Sequence, residues 1–399
     1  MRIFRRKPRV PGFLYIFCIL LGFTLREQVI LLNAAYQRHM RIVPTENTIK
    51  TSLKNCHPVT NVMFLKTHKT ASSTVMNIMY RFTEKHNLSI ALPVDHLGIF
   101  HYPQKFQAKF VEGFLTKKSG EHYNIMCNHL KFNLHEVQKV MQNNTVYVSI
   151  LRNPISLLES SYSYFRFLPS FNKSKTLSEF LASPGSFYNP TESYHMLVKN
   201  TMWYDFGYDS NAEDTDPYVQ SVLKEIEQRF QLVLIAEYFD ESMVLLKNML
   251  CWEIEDVVNF KLNSRSKDSI QHLTEKSKDR AKEWCSLDWK LYQHFNRTFW
   301  KRIHETIGPE KMQEELKQLH SKQDELKDVC LQEGEAIGKA QIKDSKLQPA
   351  QAGVANILGY NIKPGLGSEH QNLCHKMVIP EHQYIVRMRK YQNPRSKVT

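Results

Sequence analysis

The sequence predicts an α/β fold of three layers, with helices on both sides of a central parallel sheet. Three observations lead there. Residues 62–65 (VMFL), 145–151 (TVYVSIL) and 232–236 (LVLIA) are short apolar runs of strand length. Each is followed by a segment with helical periodicity, the pattern of strand–helix–strand units. The runs are apolar at nearly every position, as expected where both faces of a sheet are covered.

Each element has its own reason. The first helix is expected over 70–85, where Val75, Ile78, Met79 and Phe82 form one stripe. Pro154 follows the second run directly, in the first turn of a helix that continues from Ile155. Helices are also expected over 218–230, 240–250, 274–299 and 309–333, the last polar and charge-laced like a solvated surface helix. Residues 334–371 hold Gly334, Gly338, Gly353, Gly359, Gly365 and Gly367 and read as a loop-rich extension. No internal repeat is visible.

The chain has 399 residues, 42% hydrophobic and 23% charged. That balance excludes a disordered chain, a collagen and a multi-span membrane protein. Lys and Arg number 53 against 40 acids, a net charge of +13. Most of the excess sits at the two ends, in Arg2, Arg5, Arg6, Lys7 and Arg9 and in Arg387, Arg389, Lys390, Arg395 and Lys397. A nucleic-acid binder would put it on the folded domain, so no nucleic-acid partner is expected.

The amino-terminal residues read as an address. Residues 1–10 form a basic tail, and 11–25 (PGFLYIFCILLGFTL) are apolar and uncharged. A cleaved signal peptide would use the small residues near Asn33-Ala34-Ala35. The preferred reading is an uncleaved signal-anchor over 11–32, because apolar residues 29–32 continue beyond Arg26-Glu27 and the flank is strongly basic. A stem over 33–58 and a luminal domain over 59–399 follow. The lumen is oxidising, and four sequons fit it: Asn87, Asn143, Asn172 and Asn296. Cys18 lies in the apolar run; Cys56, Cys127, Cys251, Cys285, Cys330 and Cys374 allow up to three disulfides in 15 pairings. Cys127, in an apolar segment, is alternatively a free core thiol.

The strongest local signal joins the first strand to the first helix: Lys66, Thr67, His68, Lys69, Thr70, Ala71, Ser72, Ser73 and Thr74. A helix start offers unpaired N–H groups and the positive end of its dipole. The hydroxyls of Thr70, Ser72, Ser73 and Thr74 and the ammonium groups of Lys66 and Lys69 complete an anion cradle. The turn holds no glycine, so it is not a Walker A loop; Ala71 stands where a glycine would. A second anion site is expected at Arg152, at the end of the second strand, with Ser160 eight residues on. Arginine's planar fork suits two phosphate oxygens. A nucleotide carrying phosphates at both 5′ and 3′ positions needs two such sites.

At these residues the chain resembles sulfotransferases. Lys69-Thr70-Ala71-Ser72-Ser73 is similar to their Lys-Thr-Gly-Thr-Thr phosphosulfate loop, and Arg152 with Ser160 resembles their 3′-phosphate site. FLKTHKTASST, IMCNHLKFN, SILRNP, MWYDFG, LVLIAEYFDES, LNSRS and LGYN resemble the galactose 3-O-sulfotransferases from about residue 61 to about 380. Within that family the likeness is to the branch associated with glycoprotein rather than glycolipid acceptors.

The resemblance implies a P-loop-NTPase-like sulfotransferase fold. It implies sulfuryl transfer from 3′-phosphoadenosine 5′-phosphosulfate to the 3-hydroxyl of terminal β-galactose on glycoprotein glycans. A galactosylceramide sulfotransferase is the alternative; a sugar kinase or a lectin-like protein on the same scaffold is more remote. It also implies a single-pass type II protein of the Golgi membrane, with no metal required. Lys69 is expected to stabilise the leaving phosphate and Arg265 to contact the 3′-phosphate. His129 is expected as the base, with His68 as runner-up. Trp203 and Asp205 are expected to grip the sugar by ring and carboxylate, or else to belong to a core aromatic cluster.

Overall fold

Five short strands form one parallel sheet: β1 (Val62–Leu65), β2 (Ile90–Ala91), β3 (Ile125–Met126), β4 (Val146–Leu151) and β5 (Leu232–Ile235). Their order is β2-β3-β1-β4-β5. Val62 pairs with Ile125 on one side and Val146 on the other, and Leu65 with Ser149. Every residue of β1 and β5 is buried, so both faces of the sheet are covered and these strands show no polar alternation. The computed structural model describes residues 56–95, 98–116 and 120–392. The compact unit begins at Pro58. The expected signal-anchor and most of the stem lie outside the described residues, among which no helix is long and apolar enough to cross a membrane.

The principal helices pack around the sheet as one linked array. In chain order they are α1 (Ser72–Lys85), α2 (Pro154–Tyr164), α3 (Thr201–Asp205), α4 (Asp216–Arg229), α5 (Phe239–Leu250), α6 (Glu275–Trp284), α7 (Ser286–Thr306), α8 (Pro309–Cys330), α9 (Ser368–Val378) and α10 (Glu381–Gln392). α1 packs with α9 and α10, α9 with α8, and α8 with α5. α7 packs on β5, α3 and α4. From β1 the chain builds β2 and β3 on one side, then returns to β4 on the other. The carboxyl ends of β1 and β4 therefore flank the crevice where open α/β sheets bind ligands.

Three expectations change. The helix expected over 274–299 is two helices, broken at Cys285 (φ −106°, ψ 45°). The break lets Asp288 turn inward to α3, which a periodicity spanning both helices does not reveal. α9 and α10 were not anticipated, and the basic terminus is partly stitched to the fold. Arg387 pairs with Glu84 at 2.8 Å and Arg389 with Glu112 at 3.3 Å. Of the cysteines, Cys330 is joined to Cys374, and Cys56 and Cys251 are also disulfide-bonded. Cys127 and Cys285 are buried free thiols, so three bridges do not form among these six.

Candidate active site

The turn between β1 and α1 is built from its own hydroxyls. Thr67 donates to the carbonyl of Ile150 on β4 and shares a 2.8 Å bond with Thr70. Ser72 donates to the Thr67 carbonyl at 2.6 Å, and Thr70 to the same oxygen at 3.2 Å. Thr74 accepts from the Leu262 N–H at 3.1 Å. The hydroxyls of Thr70 and Ser72, expected as ligand donors, thus spend their protons folding the turn, as does that of Thr67. Ser73 is different: it donates to Glu381 at 2.7 Å across the cavity.

The same turn explains the residue that replaces glycine. Lys69 (φ 58°) and Ala71 (φ 61°) both lie in the left-handed region. That conformation costs a residue with a Cβ about 1–2 kcal/mol. The hydroxyl network around Thr67 and the Thr74 N–H bond to the Ala71 carbonyl hold it in place. The helix consequently starts at Ser72 rather than Thr70, with its first N–H groups open to the crevice.

A cavity of about 830 Å³ opens over this turn, room enough for a nucleotide and a sugar. Lys66, His68, Lys69, His129, Arg152, Ser160 and Arg265 all line it. Strand ends and loops far apart in sequence thus converge on one site. Arg152, at the end of β4, donates to the Lys69 carbonyl at 2.9 Å. Asn153 caps α2 by accepting from the Ile155 N–H, placing Ser160 within two turns of its start. Arg265 forms a buried ion pair with Glu159 of α2, so its charge is already matched.

The cations are not equally satisfied. Lys66 pairs with Glu381 at 3.2 Å and Arg265 with Glu159. Among the described residues Lys69 and Arg152 have no acid at ion-pair distance; the Lys69 ammonium rests on the Tyr164 ring, 3.4 Å from its centre. Burial, then Arg265, Arg152 and Lys66, push Lys69 well below the usual lysine range. An incoming anion would relieve that strain.

Two stacked imidazoles lie beside these cations, their centres 3.9 Å apart. His129 donates from Nδ1 to the Lys66 carbonyl at 2.8 Å, because a carbonyl only accepts. Its Nε2 must then accept from the Lys66 ammonium, also at 2.8 Å. Burial and the neighbouring His68 and Lys66 hold its pKa well below the usual histidine value. His68 is held differently. Its N–H donates to Asp205 Oδ2 at 2.8 Å, and its Nδ1 lies 3.0 and 3.1 Å from the two carboxylate oxygens. That leaves Nε2 as the lone-pair nitrogen, on a ring that lines the cavity.

Asp205 is therefore turned toward His68, not toward the cavity. Trp203 is fully buried, its ring near Tyr208 and Tyr218. It offers no face to a sugar, which corrects the expected platform; the core-cluster alternative describes it. α3 is itself set by Asp288 of α7, which accepts from the N–H groups of Met202 (3.2 Å) and Trp203 (2.7 Å). Sequence reasoning missed Glu381, Glu159 and Asp288. A lone acid in a surface-type helix gives no sign that it faces inward.

The sequons differ in setting. Asn87, Asn143 and Asn172 are exposed, whereas Asn296 sits mid-helix in α7 with its Oδ1 buried. Among the described residues no group of three His, Cys, Asp or Glu side chains could hold a metal.

The galactose-3-O-sulfotransferase family model matches residues 2–392. The chain is 52% identical to galactose-3-O-sulfotransferase 2 of Sus scrofa over 342 residues, covering 84% of this chain and 85% of that protein. It is 50% identical to the Homo sapiens protein of the same name over 343 residues, covering 84% and 85%. To galactosylceramide sulfotransferase of Mus musculus it is 40% identical over 339 residues, covering 84% and 79%. With two unmatched cations and two imidazoles gathered at the sheet's crevice, the chain belongs to the galactose-3-O-sulfotransferase family and is an enzyme of that family.

Proposed function

We propose that the enzyme transfers a sulfuryl group from 3′-phosphoadenosine 5′-phosphosulfate to the 3-hydroxyl of terminal β-galactose on glycoprotein glycans. The observation that carries this is the pair of cations, Lys69 and Arg152, with no acid at ion-pair distance among the described residues, at the ends of adjacent strands β1 and β4. A donor with two separated phosphates matches two such sites. The glycoprotein reading rests on higher identity to the galactose-3-O-sulfotransferase 2 relatives than to those named for galactosylceramide. The basic and apolar residues 1–32 support a type II anchor in the Golgi membrane.

The donor supplies the sulfuryl group, whose bond to the leaving phosphate breaks as the bond to the galactose oxygen forms. Lys69 and the start of α1 would hold the phosphosulfate end, and Lys69 would neutralise charge growing on the leaving oxygen. Arg152 and Ser160 would hold the 3′-phosphate. The galactose hydroxyl proton needs a free lone pair. His129 carries one at Nε2, but Lys66 occupies it. His68 Nε2 has none of that hindrance, and Asp205 fixes its tautomer. This favours His68 as proton acceptor and His129 as the group that positions Lys66.

The test uses the purified full-length chain with labelled donor and a β-galactosyl glycoprotein glycan, beside galactosylceramide. Label on galactose O3 of the glycan, lost in Lys69→Ala, is the expected result. Transfer to galactosylceramide alone would overturn the acceptor assignment. No transfer, with donor bound, would overturn the reaction.

A further inference from the structure

Glu381 is an acid in a cavity built for anions, and the reaction just described gives it no task. It is the first residue of α10, directly after Pro380, and residues 378–385 line the cavity. Its Oε2 accepts from Ser73 at 2.7 Å and pairs with Lys66 at 3.2 Å. Both partners belong to the turn that would receive the donor. Ser73 lies in the first turn of α1, where the open N–H groups and the helix dipole favour a negative charge. The carboxylate thus makes contacts of the kind a phosphate or sulfate oxygen would make.

The fold does not need Glu381 to hold α10. Arg387 and Tyr384 of that helix bind Glu84 of α1, at 2.8 and 3.1 Å, and Gln392 donates to the Ile90 carbonyl at 2.9 Å. Glu159, by contrast, is tied to Arg265 and the Gln271 N–H. Glu381 is also a poor proton acceptor. Burial alone would raise its pKa, but Lys66 and the Ser73 hydroxyl outweigh that and hold it below the usual range.

We infer that Glu381 is an internal competitor of the donor: its carboxylate occupies Lys66 and Ser73 in the free enzyme and sets how tightly the anionic nucleotide is held. This rests on the donor assignment above. A bound phosphosulfate must share or displace the carboxylate, and the carboxylate's return assists release of the bisphosphate product. Removing it deletes a like charge beside the donor's anionic groups.

The experiment is calorimetric titration of the full-length chain with adenosine 3′,5′-bisphosphate, comparing wild type, Glu381→Gln and Glu381→Ala. The glutamine keeps shape and removes charge, and it is expected to bind about tenfold tighter or more. The alanine variant, which lacks any side-chain acceptor, is expected to shift the same way. Wild-type binding with unchanged or weaker affinity in both variants overturns the inference and leaves Glu381 as a positioning partner of Lys66. Binding to none of the three overturns the donor assignment and this inference with it.

Discussion

Replacing Asp205 with asparagine tests the proton-transfer step through one hydrogen atom. Asp205 accepts twice from His68, once from its N–H (2.8 Å) and once from ring Nδ1. An asparagine has one accepting oxygen and one donating amide. The N–H of His68 can only donate, so it claims the oxygen. The amide then faces Nδ1 and makes it an acceptor, which moves the ring proton to Nε2. His68 would present a proton where the mechanism needs a lone pair. General-base catalysis contributes about 10²–10⁴ in rate, so kcat should fall by that factor, about 2.7–5.5 kcal/mol. Binding of adenosine 3′,5′-bisphosphate should change little, because Lys69 and Arg152 are untouched. The assay is steady-state transfer to a β-galactosyl disaccharide as a function of pH, beside the nucleotide titration. A kcat within about tenfold of wild type and an unshifted pH profile would refute the role of His68 and return the base to His129.

Other consequences are testable separately. Burial raises the Asp288 carboxyl to about 7 from its ordinary 3.8. A raised acid stabilises fully below about pH 4 and loses that contribution as pH climbs toward 7, a span of about 4 kcal/mol. Asp288→Asn should therefore gain stability relative to wild type from pH 4 to 8 in urea melts; a pH-independent difference would contradict this. The Cys330–Cys374 bond closes 44 residues and ties α8 to α9. Its removal by paired Cys→Ala exchange should cost about 4 kcal/mol of unfolding free energy. Mass spectrometry of the chain expressed through a secretory pathway should find glycan on Asn87, Asn143 and Asn172 but not on Asn296, which is half-buried in the middle of helix α7.

Two structural features lend these outcomes weight. The strained turn at Lys69 and Ala71 is held by bonds to β4, so its geometry depends on the sheet register that pairs Leu65 with Ser149. Asp205 in turn depends on Asp288 of the adjacent helix α7, which binds the start of α3. The site is held from behind by buried groups rather than by the cavity wall alone.

Three of the five strands, β1, β4 and β5, are legible in the sequence alone, as are the turn and the strand end where anions are expected. Apolar runs such as VMFL and LVLI can be satisfied only between two covering layers, and a hydroxyl-rich turn after such a run starts a helix pointed at the crevice. Those are local facts, written in consecutive residues. Tertiary structure alone decided what each side chain does. It turned Thr67, Thr70 and Ser72 inward to brace the turn, buried Trp203, and aimed Asp205 at His68 across 137 residues of chain. It also brought Glu381 from an unanticipated helix 308 residues away onto Ser73. Hydroxyls, acids and imidazoles have several possible partners, and which one they take is set by what the folded chain brings within about 3 Å.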